Sequence, residues 1–406
     1  MKILNRIKSL GPGLLFAGAA IGVSHLVQST RAGAEYGLGL LWALIIIHLV
    51  KYPFFQFGPR YAMATGESLI EGYKKLGKWV LALYVFLTFI IMFTIQAAVT
   101  IVTAGLAINL FGLTDSMVNW AIILTFISLG ILIIGKYSFL DKIMKVIIVV
   151  LSISSVLAVI FAMKQPSSHL SLTQILPSGK MGIAFLIAFL GWMPAPLDVS
   201  VWQSLWTIEK KKENNLYNSK SALFDYNIGY IATLFLGVCF ILLGALVMYQ
   251  SGEKFSSSAG KFSQQLINLY TQNLGSSMAV FISIAAFTTM FSTTITTLDA
   301  SPRSLSRAIE VFTNKKTKLN YNFWIIVLAV GTIVILTWFI QDMKLMVKIA
   351  TIFSFITAPF YAIVNYILIT SKHTPKEHQP KLPLRILSIV GIVFLIGFTV
   401  WFLINL

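Results

Sequence analysis

Apolar runs long enough to cross a bilayer alternate along this chain with short polar stretches. Reading for about 20 apolar residues in succession places such runs near residues 12–30, 38–58, 79–110, 117–135, 143–163, 182–206, 226–250, 276–300, 321–341, 345–370 and 385–405. Eleven candidate spans predict an all-α polytopic membrane protein. Two of them are broken near the middle. Gly11 to Thr30 reads GPGLLFAGAAIGVSHLVQST, and Gly182 to Trp206 reads GIAFLIAFLGWMPAPLDVSVWQSLW. Gly or Pro inside hydrocarbon interrupts the helical ladder and frees N–H and C=O groups, each costing several kcal/mol unless protein, water or a passenger satisfies it. Paired broken helices in matching positions of two halves mark a carrier with its site at the breaks.

Spans one to five and six to ten lay over each other as two halves, each opening with its broken helix. Five is odd, so the halves point in opposite directions across the membrane, as an inverted repeat. The first repeat covers residues 11–163 and the second 182–370; the segment 385–405 stands outside both. No low-complexity linker divides the chain, so residues 1–406 read as one transmembrane domain. The polar stretches Ile208 to Asp225 and Ser251 to Gly275 are interspan loops, the second with room for an amphipathic helix at Phe262 to Tyr270.

Composition sharpens this picture. Hydrophobic residues make up 57% and charged residues 11%, with a mean hydropathy of +0.82, which excludes a water-soluble fold. The net charge of +17 invites a nucleic-acid partner, but its placement argues for a lipid bilayer. Of the 31 Lys and Arg residues, 23 fall in alternate loops, from Lys2, Arg6 and Lys8 through Lys136 and Lys316 to Arg385, and seven, including Arg31 and Lys254, on the other side. The positive-inside rule then puts the N-terminus in the cytoplasm and the C-terminus outside, as in a bacterial inner membrane. MKILNRIKSL is too short and polar for a cleaved signal peptide, so the first span directs insertion. Cys239, the lone cysteine, excludes disulfides and thiol clusters and reads as a small packed side chain. A monomer is expected.

Ionisable groups at bilayer depth are costly, and by default functional. Asp198, just after the second break, is the one acid well inside; Glu35, Glu67, Glu71, Asp115 and Asp299 belong to loops or span ends. His25 is its counterpart just after the first break, able to ligate a transition metal or carry a proton. His48 and Lys51 lie one turn apart in span two. Bland readings stand beside each. Asp198 could be a helix N-cap, His25 a cap of the broken helix, His48 a packed hydrogen-bonded residue, and Lys51 a snorkelling or structurally paired side chain. Met193, before Pro194, offers a thioether to a soft metal or simply fills a gap. Unwound backbone near Ala19 and Leu190 offers carbonyls to a metal cation, and equally to an organic ammonium.

The stretch from Gly11 to Leu49, with GPG, AGAEYG and LLW in order, resembles the first two spans of the Nramp divalent-metal transporter family. ATGESL at Ala64 to Leu69 is similar to that family's ATG-x-x-L, Trp192-Met193-Pro194 falls at its Met-Pro-His motif, and STTIT at Ser292 to Thr296 matches its Ser/Thr-rich stretch of span eight. The resemblance implies a leucine-transporter-like fold and alternating access around spans one and six. This chain departs from the pattern where it matters. In place of DPGN stand Gly22, Val23, Ser24 and His25, removing the family's metal-binding aspartate. The histidine of the span-six motif is Ala195, the two acids of span three correspond to Gln96 and Val99, and the glutamine ligand of span ten corresponds to Thr357. A divergent branch is implied, in which Gln96, Thr357, His48 and Lys51 are candidates for coupling or gating.

A desolvated divalent ion needs compensating charge and several ligands. A substitute site could be assembled from His25, Met193 and Asp198 with backbone oxygen from Ala19, Leu190 and the Gly22 region, a set suited to Mn, Fe or Zn. The leading expectation is a secondary transporter of divalent transition metals, the metal being cargo and no cofactor being expected. The alternative is an organic-solute carrier of the same fold, moving an amino acid, amine or zwitterion through a wider pocket lined by Trp192, Trp202 and Trp206. A non-transporting sensor lacks any appended soluble domain. An enzyme is disfavoured, since no nucleophile sits beside a base and Gly11-Pro12-Gly13 starts a helix rather than a nucleotide loop.

Overall fold

The computed structural model describes residues 10–134, 137–164, 171–249, 255–256, 258–274, 279–315, 320–339 and 342–404; Lys2, Arg6, Lys8, Lys136, Lys254, Lys316 and Lys318 of the charge count lie outside them. Among the described residues, eight helices are long and apolar enough to cross a bilayer, and Met117–Ile133, Val149–Ala162 and Gly179–Trp192 are shorter apolar helices, so all eleven predicted spans are present. The fold is all-helical, with the first and sixth spans discontinuous.

Span one runs as a leading half, Pro12–Ala20, a wider-wound turn, Val23–Ser29, and a trailing half, Thr30–Tyr36. On the trailing half Arg31 and Glu35, one turn apart, pair with each other at 3.0 Å. Span six comprises a leading half, Gly179–Trp192, and a trailing half, Val199–Glu213. Span two is Leu41–Thr65, span three Lys78–Phe111, span seven Ser219–Val247, span eight Ala279–Thr313, and span ten Met343–Thr370. The amphipathic helix expected at Phe262 to Tyr270 is longer, Ala259–Leu274, and buries Phe262, Leu266 and Leu269.

Two glycine seams position the site. A Cβ on Gly13 would lie 2.0 Å from the Asp225 carbonyl, and one on Gly229 would lie 2.0 Å from the Gly13 carbonyl. Further along, Gly33 and Gly244 make the same approach to Ile241 and Thr30. Span one therefore packs backbone to backbone on span seven over its length, a contact only small residues permit. In the second repeat, Gly191 meets the Thr351 carbonyl in the same way, locking the leading half of span six to span ten. Gly11, at the start of span one, lies under the Lys210 side chain at the end of span six. Hence the leading half of one broken helix and the trailing half of the other share a membrane face, as inversion requires.

Candidate functional site

The break in span one follows Ala20. Gly22 tolerates it because span eight presses in: a Cβ there would lie 2.9 Å from the Thr293 side chain, whose hydroxyl donates to the Gly18 carbonyl at 3.1 Å. The Ala20 carbonyl accepts the Ser24 hydroxyl and lies 3.1 Å from His25 Nδ1. Ser24 Oγ is 2.7 Å from the same nitrogen, while His25 Nε2 is 2.9 Å from the Thr233 carbonyl of span seven. Both imidazole nitrogens are thus engaged in closing the break and tying it to span seven. His25 keeps the capping role foreseen for it, and no lone pair is left aimed at a cation.

The break in span six has a direct cause in the sequence. The Leu190 carbonyl should bond the amide of residue 194, but Pro194 has no N–H, and Pro196 likewise cannot serve Trp192. Lys51 of span two fills the gap. Its ammonium, fully buried, donates to the carbonyls of Gly191 at 2.7 Å, Leu190 at 2.9 Å and Ala195 at 3.2 Å. Two of these carbonyls, Leu190 and Gly191, end the leading half-helix, where the dipole favours a cation, and the third, Ala195, belongs to the break. Lys51 points into the protein rather than snorkelling, and the Leu190 oxygen foreseen as a metal ligand already holds an ammonium.

The two breaks face one another across a cavity of about 30 Å³ lined by Ala19, Ala20, Val23 and Ser24 from span one and Trp192, Pro194, Ala195, Pro196, Val199 and Trp202 from span six. Span three contributes Ile95 and Val99, and span eight Thr293 and Thr297. Ser24, Thr293 and Thr297 are the hydroxyl-bearing residues of this lining, and Val99 is part of its apolar wall. Of the foreseen cluster, Ala19 lines this space, while His25, Gly22, Leu190, Met193 and Asp198 do not. Met193 is buried, its sulfur 3.8 Å from the Ser29 hydroxyl. Asp198 is buried outside this lining, and its Oδ1 has no hydrogen-bond partner. Among the described residues, no three of His, Cys, Asp and Glu gather as a metal site.

The coupling candidates divide. Gln96 bridges spans three and eight: its carbonyl accepts from Thr297 Oγ1 at 2.6 Å, and its amide lies 3.3 Å from the Thr294 carbonyl. His48 bonds within its own helix, Nδ1 to the Leu44 carbonyl at 2.8 Å, under the Tyr230 ring. Thr357 is also turned to its own helix, donating to Phe353 at 3.1 Å. The span-ten residue that touches the break is Ser354, one turn earlier, which accepts from Trp192 Nε1 at 2.8 Å.

Asp225 was read as the end of a polar loop and is instead buried in span seven. Its carboxylate accepts the amides of Gly11 at 3.1 Å and Gly13 at 2.9 Å, and the Tyr217 hydroxyl at 3.1 Å. It is a cap supplied in trans, neutralising the positive end of the leading half of span one. A lone acid opening an apolar run was the signal available.

Comparison with known proteins follows the same lines. A curated protein of Pasteurella multocida, described as uncharacterized, is 34% identical over 408 residues, covering 98% of this chain and 92% of its own length. The manganese transporter of Eremococcus coleocola, solved with an aromatic bis-isothiourea compound, superposes with a TM-score of 0.73 at 13% identity over 96% of this chain and 85% of its own. Mhp1, a nucleobase-cation-symport-1 family transporter in a closed conformation, gives 0.61 at 13% identity over 97% of this chain and 92% of its own. The fold is therefore the leucine-transporter-like inverted repeat that the resemblance implied. The family model described as natural resistance-associated macrophage protein-like matches residues 13–405, and with it the chain belongs to the Nramp family of membrane transporters.

Proposed function

We propose that this integral membrane transporter moves a divalent transition-metal ion, of the Mn or Fe class, into the cytoplasm by alternating access around the breaks of spans one and six. The observation that carries this reading is the size of the space between the breaks. About 30 Å³ holds an ion or one or two waters, whereas sites for organic ligands run to roughly 300 Å³ or more. Trp192 and Trp202 do line it, but Trp206 does not. Family membership and the fold shared with a manganese transporter support the same cargo.

The hydroxyls of Ser24, Thr293 and Thr297 and the backbone at Ala19 are the oxygen donors we assign to the ion. We further assign the N-terminus to the cytoplasm, the C-terminus to the outside, a bacterial inner membrane as the location and a monomer as the working unit. Residues 11–163 and 182–370 act as the two repeats of one domain. Reconstitution into liposomes loaded with a divalent-sensitive dye tests the cargo. Mn uptake above protein-free vesicles is expected; uptake of amino acids or amines with none of Mn or Fe would overturn the proposal.

A further inference from the structure

We propose that Lys51 is a built-in competitor for the transported cation, its ammonium occupying the carbonyl cradle of the span-six break whenever cargo is absent. The argument rests on the cargo reading above and on the geometry of three bonds. Leu190, Gly191 and Ala195 present their oxygens to one point, at 2.9, 2.7 and 3.2 Å from Nζ, which is the coordination a small cation would seek at the end of a half-helix. Among the described residues no carboxylate, that of Asp198 included, lies within 4.0 Å of this ammonium. His48, one turn back on the same helix, turns its Nδ1 to the Leu44 carbonyl and takes no part in the cradle. The three carbonyls are therefore what holds this charge out of water, and the charge is what satisfies the carbonyls.

Lys51 and the cavity share Ala195, which lines the cavity and accepts from Nζ. A divalent ion in the cavity meets the positive charge of this ammonium at short range, and it adds the Ala195 oxygen to its hydroxyl and Ala19 donors only when the side chain withdraws. The lysine thus keeps the break closed to leak in the empty protein and sets a threshold for cargo entry. Its long flexible stem suits withdrawal, unlike the rigid fork of arginine.

The experiment is Mn binding by titration calorimetry to the purified full chain in nanodiscs, with size-exclusion profiles confirming folding. Lys51→Met removes the ammonium, Lys51→Gln removes the charge while keeping N–H donors for the cradle, and Lys51→Arg keeps the charge. Binding at least tenfold tighter in Lys51→Met or Lys51→Gln, and no tighter in Lys51→Arg, is the expected result. Unchanged or weaker binding in a folded neutral variant overturns the competitor role and leaves the cargo reading intact. Binding by the neutral variants alone upholds the competitor and removes Mn as the natural cargo. If neither the natural protein nor any neutral variant binds, both proposals fall.

Discussion

The Lys51 ammonium lies 2.7 Å from the Gly191 carbonyl oxygen, so a side chain of span two completes the backbone hydrogen bonding of span six. The need for it is created by Pro194, which withholds the amide that Leu190 would otherwise accept.

Replacing that proline exposes the relationship. In Pro194→Ala the restored amide competes with Lys51 for the Leu190 oxygen, and in Pro194→Ala/Pro196→Ala the helix can wind through the break. We expect a thermal midpoint equal to or above that of the natural protein, with Mn uptake in proteoliposomes reduced at least tenfold. Retained uptake would show that the break is dispensable.

Asp225 offers a separate test of the trans cap. Asp225→Ala leaves the buried amides of Gly11 and Gly13 without an acceptor, at about 1–3 kcal/mol for each orphaned group. Asp225→Asn keeps one acceptor oxygen and loses less. Scanning fluorimetry in detergent should rank the midpoints natural, Asn, Ala in falling order; an unchanged midpoint for Ala would remove the cap from consideration.

The glycine seam predicts a sharp positional contrast. Gly229→Ala drives a methyl to 2.0 Å from the Gly13 carbonyl, whereas Gly397→Ala meets nothing within 4 Å. Overpacking costs about 1–3 kcal/mol where side chains can yield, and more against backbone. Gly229→Ala should lower the yield of monodisperse protein severalfold, and Gly397→Ala should leave it unchanged.

Val99 lines the cavity, at a position that the resemblance pairs with an acid of the family. Val99→Asp is nearly the same size and sets a carboxylate toward the cargo. About tenfold tighter Mn binding, or about 1.4 kcal/mol, is expected, with a thermal midpoint that rises with added Mn and falls without it. Equal midpoints with and without Mn would place the cargo elsewhere.

The sequence carries the architecture well because apolar length and helix-breaking residues are local signals. Gly22, Pro194 and Pro196 mark the breaks by themselves, and Met193, Lys51 and Asp198 stand near enough to draw attention. What it does not carry is direction. Lys51 meets its acceptors 139 to 144 positions along the chain, and the orientation of His25 is set by a carbonyl 208 positions away. Asp225 caps amides 212 and 214 positions behind it. The cluster of His25, Met193 and Asp198 suggested by spacing is thus dispersed: the imidazole faces span seven, the thioether faces Ser29, and the carboxylate lies outside the cavity lining. In span ten, Ser354 and not Thr357 meets the break because it stands one turn earlier on the helix, where Trp192 Nε1 donates to it.

The seam of glycines between spans one and seven bears on how the molecule must move. Backbones in such close contact cannot slide past one another, and Asp225 pins them at one end, so the pair forms a stiff lever. The leading half of span six is clamped to span ten through Gly191 in the same way, giving a second lever. Any rocking between states has to pivot outside these contacts, with residues 193–198, between the two halves of span six, as the fulcrum on which the levers turn.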